Sequence, residues 1–260
     1  MTTLPQPMIR VRNVTKKYGE MIGCRDISFD LWPGEVMGIV GESGSGKSTL
    51  LGCLSGRLEP TAGSVGYASR EFGDIDVHGC AEPVRRKLLR TELGVVHQNP
   101  RDGLRLGVTA GANLGERLMS VGARHYGNIR AEALKWLAEV EIEAGRIDHF
   151  PKTFSGGMQQ RLQIACNLIT QPRIVFMDEP TGGLDVSVQA KLLDLLRNLV
   201  SRLGLSVIIV THDLAVARLL AHRLMVMQRG EVVETGLTDQ VLDDPQHPYT
   251  QLLVSSILQA

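Results

Sequence analysis

The segment GESGSGKS, Gly41 to Ser48, is the part of the sequence best equipped for chemistry, because it matches GxxxxGK[ST] without a gap. Gly41, Gly44 and Gly46 let the backbone curl so that successive N–H groups and a following helix N-terminus can face a β-phosphate. Ser43 and Thr49 belong to the same lining, Lys47 reaches toward β- and γ-oxygens, and Ser48 is the Mg²⁺ ligand such a loop provides. A second group is RIVFMDEP, where Ile174, Val175, Phe176 and Met177 precede Asp178 and Glu179. A buried strand there would deliver two acids at its carboxyl end, the edge where ligands gather in open α/β sheets. Neighbouring strand side chains point opposite ways, so Asp178 can join a Mg²⁺ shell while Glu179 addresses an attacking water. The third group is LSVIIVTHDL, a further apolar strand ending in Thr211, His212 and Asp213. His212 there is either a γ-phosphate contact or part of an ordinary helix cap.

These groups need elements to position them. MIRVRNVTKKY and RDISFDLWPGE read as strands with an antiparallel start, the second closed by the Pro33-Gly34 turn. EVMGIVGESGSGKSTLLGCLSG runs an apolar strand through the glycine loop into a helix that ends before EPTAGS. LGERLMSVG and IRAEALKWLAEVEI carry helical apolar spacing. In the tail, Pro248 is placed to start an amphipathic helix, and His247 lacks a second ligand at helical spacing for a metal.

Bulk properties exclude several classes. Lys plus Arg and Asp plus Glu number 28 each, so no overall basic field exists to hold nucleic acid or an anionic membrane. Cys24, Cys53, Cys80 and Cys166 lie far apart with neither CxxC nor Cys/His ligand spacing, which points to reduced, buried thiols. The start MTTLPQPMIRV lacks a basic segment followed by an apolar core, and no apolar run reaches about 18 residues. A cytoplasmic chain without direct membrane insertion is the expectation.

One segment has no role in a single nucleotide site. FSGGMQQR, Phe154 to Arg161, brings a second glycine pair when a complete phosphate loop already lies upstream. The order of phosphate loop, FSGGMQQR, FMDEP and VTHD resembles the ATP-binding-cassette (ABC) ATPases over essentially the whole chain. The resemblance implies an α/β fold: a P-loop core, residues 1–97 and 166–260, with an antiparallel β subdomain and an inserted helical subdomain, residues 98–165. It implies a head-to-tail dimer of two copies, in which Ser155 and the Gly156-Gly157 backbone of one close over the γ-phosphate held by the other, with ATP and Mg²⁺ as cofactors. It further assigns Tyr18 to adenine stacking, with an edge-strand tyrosine as the alternative. Gln98 is matched to a Mg²⁺- and partner-sensing glutamine, and Asp185 to a contact with the opposite subunit. Lys47, Gln98, Glu179 and His212 then form the catalytic set.

Departures from the family pattern remove none of these groups. Met158 stands for the usual glutamine, Phe154 for leucine, Gly182-Gly183 for Ser-Ala and Cys166 for arginine. LDDPQHPYTQLLVSSIL resembles the tail of the oligopeptide and dipeptide importer ATPases, whose partner would be a permease. Those relatives commonly follow the glutamine with a DPxxSLNP-like segment, whereas this chain has Asn99-Pro-Arg-Asp-Gly-Leu-Arg105. HQNPRDGLR, NLGERLM, GARHYGNIR and the tail together resemble the ATP-binding subunits of bacterial carbon-phosphorus lyase systems. That branch implies docking on subunits of a soluble lyase core complex, together with a second ABC protein in some assemblies, and bond cleavage by partners, since this chain has no iron-sulfur motif.

Overall fold

The computed structural model describes residues 6–257. In chain order these form β1 (Ile9–Tyr18), β2 (Met21–Leu31), β3 (Val36–Val40), α1 (Lys47–Leu54), β4 (Ala62–Ser69), β5 (Gly73–Asp76), α2 (Glu82–Thr91) and β6 (Leu93–Val96). They continue as α3 (Ala110–Ser120), α4 (Tyr126–Glu139), α5 (Gly156–Leu168), β7 (Ile174–Asp178), α6 (Val186–Leu203) and β8 (Ser206–Thr211). The last elements are α7 (Leu214–Leu220), β9 (Arg223–Gln228), β10 (Glu231–Leu237), α8 (Thr238–Asp243) and α9 (Pro248–Ile257). The chain packs as two compact units, Met1–Arg86 with Val200–Ala260, and Lys87–Leu199.

The first unit is built on two sheets. One is antiparallel in the order β2-β1-β4-β5, with Ile9 opposite Leu31 and Val11 opposite Phe29. Ile9, Val11, Val14, Ile27 and Leu31 bury one face of it, the alternation a half-buried strand requires. The other has β3 between β8 and β9, parallel to both, and β10 antiparallel on β9. All five residues of β3 and all six of β8 are buried, as expected for parallel strands covered on both faces. Gly38 in β3 has a packing reason: a Cβ there would lie 2.6 Å from a Leu224 methyl and 3.0 Å from the Ala221 Cβ. The predicted Pro33-Gly34 turn forms, closed by the Glu35 N–H donating to the Trp32 carbonyl at 3.1 Å.

The second unit holds the parallel pair β6–β7, in register from Leu93 opposite Ile174 to Val96 opposite Met177, and the helices α3, α4 and α5. Thr109 caps α3 by accepting the Ala112 N–H, and the His125 ring caps α4 by accepting the Asn128 N–H. Ala133, Trp136 and Leu137 bury one face of α4, and Ala110 and Leu114 one face of α3. Both helices stand where the apolar spacing predicts them.

Candidate functional site

The phosphate loop leaves the buried end of β3 and enters α1. Gly41, Gly44 and Gly46 have φ of +147°, +80° and +101°, conformations that L side chains rarely adopt. Space gives a second reason at two of them. A Cβ on Gly41 would lie 2.2 Å from the Met227 carbonyl oxygen, and one on Gly46 2.1 Å from the Gly23 carbonyl oxygen. The loop is thus seated against the start of β2 on one side and the β9–β10 hairpin on the other. The Gly230 N–H of that hairpin donates to the Ser45 carbonyl at 2.9 Å.

Lys47 is buried, and its ammonium donates to the carbonyls of Gly41 (2.8 Å) and Glu42 (2.7 Å) and to Ser45 Oγ (3.3 Å). The amine is therefore held inside the curl of its own loop. Gly46 precedes α1 and, as a glycine, supplies no side-chain cap of its own. Such a helix start, with a cation folded beside it, fits a phosphate. Tyr18 is at the end of β1, as the sequence places it, and is 44% exposed. A Cβ on Gly23 would touch both the Tyr18 ring (3.0 Å) and the Thr49 methyl (2.8 Å), so ring and loop are neighbours. The Lys16 ammonium lies 5.5 Å from the centre of the same ring. His212 follows β8 and is exposed. The capping at this helix start falls to its neighbours: Asp213 accepts the N–H groups of Ala215 (2.8 Å) and Val216 (3.4 Å), and Thr211 Oγ1 accepts the Asp213 N–H.

In the second unit, β7 ends at Asp178, and Glu179 departs from the strand alternation expected for it. Its φ of +42° lies in the left-handed region, and its carbonyl accepts the Gly182 N–H at 2.9 Å. Glu179 thus opens a tight turn, and its direction is set by that turn and not by the pleat. A left-handed residue other than glycine costs about 1–3 kcal/mol. The same turn accounts for the glycine pair. Gly183 has φ +72°, and a Cβ on Gly182 would stand 3.2 Å from the Glu179 carbonyl oxygen and 3.5 Å from Gln98 Nε2. Gln98 and the acidic turn are therefore brought together.

Ser155 caps α5, its hydroxyl accepting the Met158 N–H at 3.3 Å. Ser155 and Gly156 are exposed, whereas Gly157 is buried against Val188, where a Cβ would lie 2.5 Å from a methyl. Asp185 is exposed, and its carbonyl accepts the N–H groups of Val188 and Gln189 at the start of α6.

Sequence reasoning missed a set of buried amides on α5. Gln159 donates to the carbonyls of Pro151 (2.9 Å) and Phe154 (3.2 Å), fixing the approach to Ser155. Gln160 and Gln163 both donate to the His97 carbonyl at 3.3 Å, while Gln163 Oε1 accepts the His97 N–H. Asn167 accepts the Val95 N–H at 2.9 Å. The amides tie α5 to β6 and to the residue before Gln98. Spacing of 160, 163 and 167 on one helix face is the signal that carried this information. Cys166 is buried and its thiol is pushed up to about 12 by desolvation, although the Arg117 charge acts against this. Among the described residues no group of three His, Cys, Asp or Glu side chains is placed to hold a metal ion by itself.

Comparison with known proteins supplies the family. Residues 24–182 match the family model described as ABC transporter, and residues 233–260 the one described as oligopeptide/dipeptide transporter, C-terminal region. The chain is 67% identical over 254 residues to PhnK of Escherichia coli (strain K12), named for phosphonates utilization and ATP binding, covering 98% of this chain and 99% of that one. It is 37% identical over 264 residues to the dipeptide transport ATP-binding protein DppF of the same organism, covering 98% and 77%. The dimeric post-hydrolysis structure of the ATP-binding cassette MJ0796 bound to ADP and Pi superposes with a TM-score of 0.78 at 33% identity, covering 89% of this chain and 99% of that one. With the phosphate loop, the acidic turn and the FSGGMQQR helix start on the same chain, these matches establish that the protein belongs to the ABC transporter family, as an ATP-binding and ATP-hydrolysing cassette.

Proposed function

We propose that this ATPase works as a head-to-tail pair and couples nucleotide turnover to a soluble phosphonate-cleaving, carbon-phosphorus lyase complex in the cytoplasm. The observation that carries this reading is the 67% identity to PhnK along nearly the full length of both chains. A core of residues 1–97 and 166–260 binds nucleotide in this scheme, and residues 98–165 form the helical part that partners grip.

The site residues then have separate duties. Gly41, Ser43, Gly44, Gly46, Lys47, Ser48 and Thr49 hold the phosphates, and Tyr18 stacks on adenine. Glu179 takes the proton of the attacking water, and His212 and Lys47 steady the γ-phosphate as charge develops. Ser155, Gly156 and Gly157 address the nucleotide of the second copy, with Asp185 contacting that copy. Ser48, Gln98 and Asp178 offer the hydroxyl, amide and carboxylate oxygens that Mg²⁺ prefers, and the ion when bound would neutralise charge on the β- and γ-oxygens. Loss of the γ-phosphate releases the pair, and a partner near Gln98 responds only to the difference in nucleotide affinity between closed and open states.

A second reading, the motor of a peptide importer, draws on the C-terminal family match at residues 233–260 and on the likeness to DppF. The experiment that separates them is affinity capture from native lysate with the Glu179→Gln protein and MgATP, membrane and soluble fractions being kept apart. The substitution should slow turnover by a factor of about 100 or more while ATP still binds. Capture of a soluble multi-subunit lyase core supports the proposal. Capture of polytopic permease subunits replaces it with the importer reading.

A further inference from the structure

We propose that Tyr249, in the C-terminal helix, is a positioning residue of the nucleotide site, its hydroxyl bracing the phosphate loop through the Glu42 peptide. The inference rests on the reading of Gly41–Ser48 as the phosphate cradle. The Glu42 N–H donates to Tyr249 Oη at 3.0 Å, across 207 residues of sequence. Tyr249 is buried at 7% exposure, so packing holds its ring and with it the hydroxyl that accepts this bond. Glu42 is the peptide on which the loop turns. Its carbonyl accepts the Lys47 ammonium at 2.7 Å and the Ser45 N–H at 3.2 Å. The Glu42 N–H shares its peptide plane with the Gly41 carbonyl, which also accepts the Lys47 ammonium at 2.8 Å, so whatever fixes that amide fixes one of the carbonyls on which the phosphate-binding lysine rests.

The tail is built to present that hydroxyl. The Glu234 carboxylate of β10 accepts the Gln246 N–H (2.9 Å) and the His247 N–H (3.1 Å), which ties down the turn before α9. The His247 ring nitrogen Nδ1 then accepts the Tyr249 N–H at 3.2 Å, and the His247 carbonyl accepts the Gln251 N–H to open the helix. Desolvation acts to raise the Glu234 carboxyl, yet the Gln246 N–H, Thr250, the His247 N–H and the His247 charge together hold it below its ordinary value, so the anchor is ionised at neutral pH. The same β9–β10 hairpin reaches the loop directly, through Gly230 on Ser45. Loop residues 42 and 45 are thus gripped from one hairpin by two independent routes, and the tail is one of them.

The test uses the full chain with Tyr249→Phe, which keeps the ring and removes the hydroxyl. Three quantities are read: amide exchange at Glu42 by NMR without nucleotide, MgADP affinity by titration, and the thermal midpoint without nucleotide. The brace predicts faster exchange confined to Glu42 and its loop, MgADP binding about three- to ten-fold weaker, and a midpoint close to that of the parent. Unchanged exchange and affinity overturn it, as does a loss of affinity that only accompanies a general fall in the midpoint. Lys47→Ala serves as the control for the cradle. A parent that fails to bind MgADP sinks the cradle reading, while the exchange at Glu42, which needs no nucleotide, still decides the brace.

Discussion

The two units hold their chemistry in different ways. In the first, the phosphate loop is shaped by backbone: glycines at positive φ, carbonyls around Lys47, and N–H to carbonyl bonds from the neighbouring hairpin. In the second, the segments that carry Gln98 and Ser155 are held by side-chain amides of α5 bonded to main-chain groups of residues 95, 97, 151 and 154. A backbone cradle has no room for an added atom where carbonyls close on it, at Gly41 and Gly46, and draws on few side chains. An amide scaffold is the reverse, since each link depends on one side chain and leaves a buried partner unsatisfied when it is lost.

The largest effect should follow from attacking the backbone cradle. Gly46→Ala forces a Cβ to 2.1 Å from the Gly23 carbonyl oxygen at a φ of +101°, so something must move. A loss of about 3 kcal/mol or more in urea unfolding, with nucleotide binding abolished, is the expected result; parent-like MgADP titration would show that the cradle is not held as described. A more selective break targets the amides. Gln163→Leu removes the side-chain acceptor of the His97 N–H and one of the two amide donors to the His97 carbonyl, Gln160 remaining, and should cost about 2 kcal/mol. Because the phosphate loop lies outside that network, MgADP affinity should stay within about twofold of the parent while turnover falls, a split that kinetics and titration together resolve. Equal losses in both would merge the two modes of support into one.

The smallest effect concerns Cys166. A thiol pushed up to about 12 has roughly one thiolate in ten thousand at pH 8. The native protein should therefore consume disulfide reagent first at the partly exposed Cys80, with Cys166 reacting only after unfolding. Rapid native labelling of Cys166, located by mass spectrometry, would contradict the packing of α5 described above.

The comparison also explains what could be read in advance. Glycine spacing dictates loop shape wherever it occurs, so the cradle and its flanking strand and helix were legible from residues 36–54, and the alternation of β1 and β2 was legible for the same local reason. Strand alternation does not reach Glu179, because it holds only while the strand lasts, and the left-handed turn there is closed by Gly182 three residues later. The amides of α5 read as a polar helix face. Their burial comes from strands and loops that local pattern does not encode, and so does the bond from Tyr249 to Glu42. Of the duties proposed for Glu179, His212 and Asp185, the first two are suggested by their places after apolar strands, while that of Asp185 rests on the family resemblance alone.

The place of β3 between β8 and β9 has a consequence for synthesis. The strand that launches the phosphate loop is made early, yet both of its parallel neighbours begin only at Ser206 and Arg223. At a translation rate of about 5–20 residues per second, β3 waits roughly ten to forty seconds for both neighbours. During that interval its four apolar side chains have no strand beside them, and pairing this remote in sequence forms slowly. The nascent chain should therefore be unable to capture nucleotide, and should offer chaperones a hydrophobic strand, until the segment past Gln228 has left the ribosome.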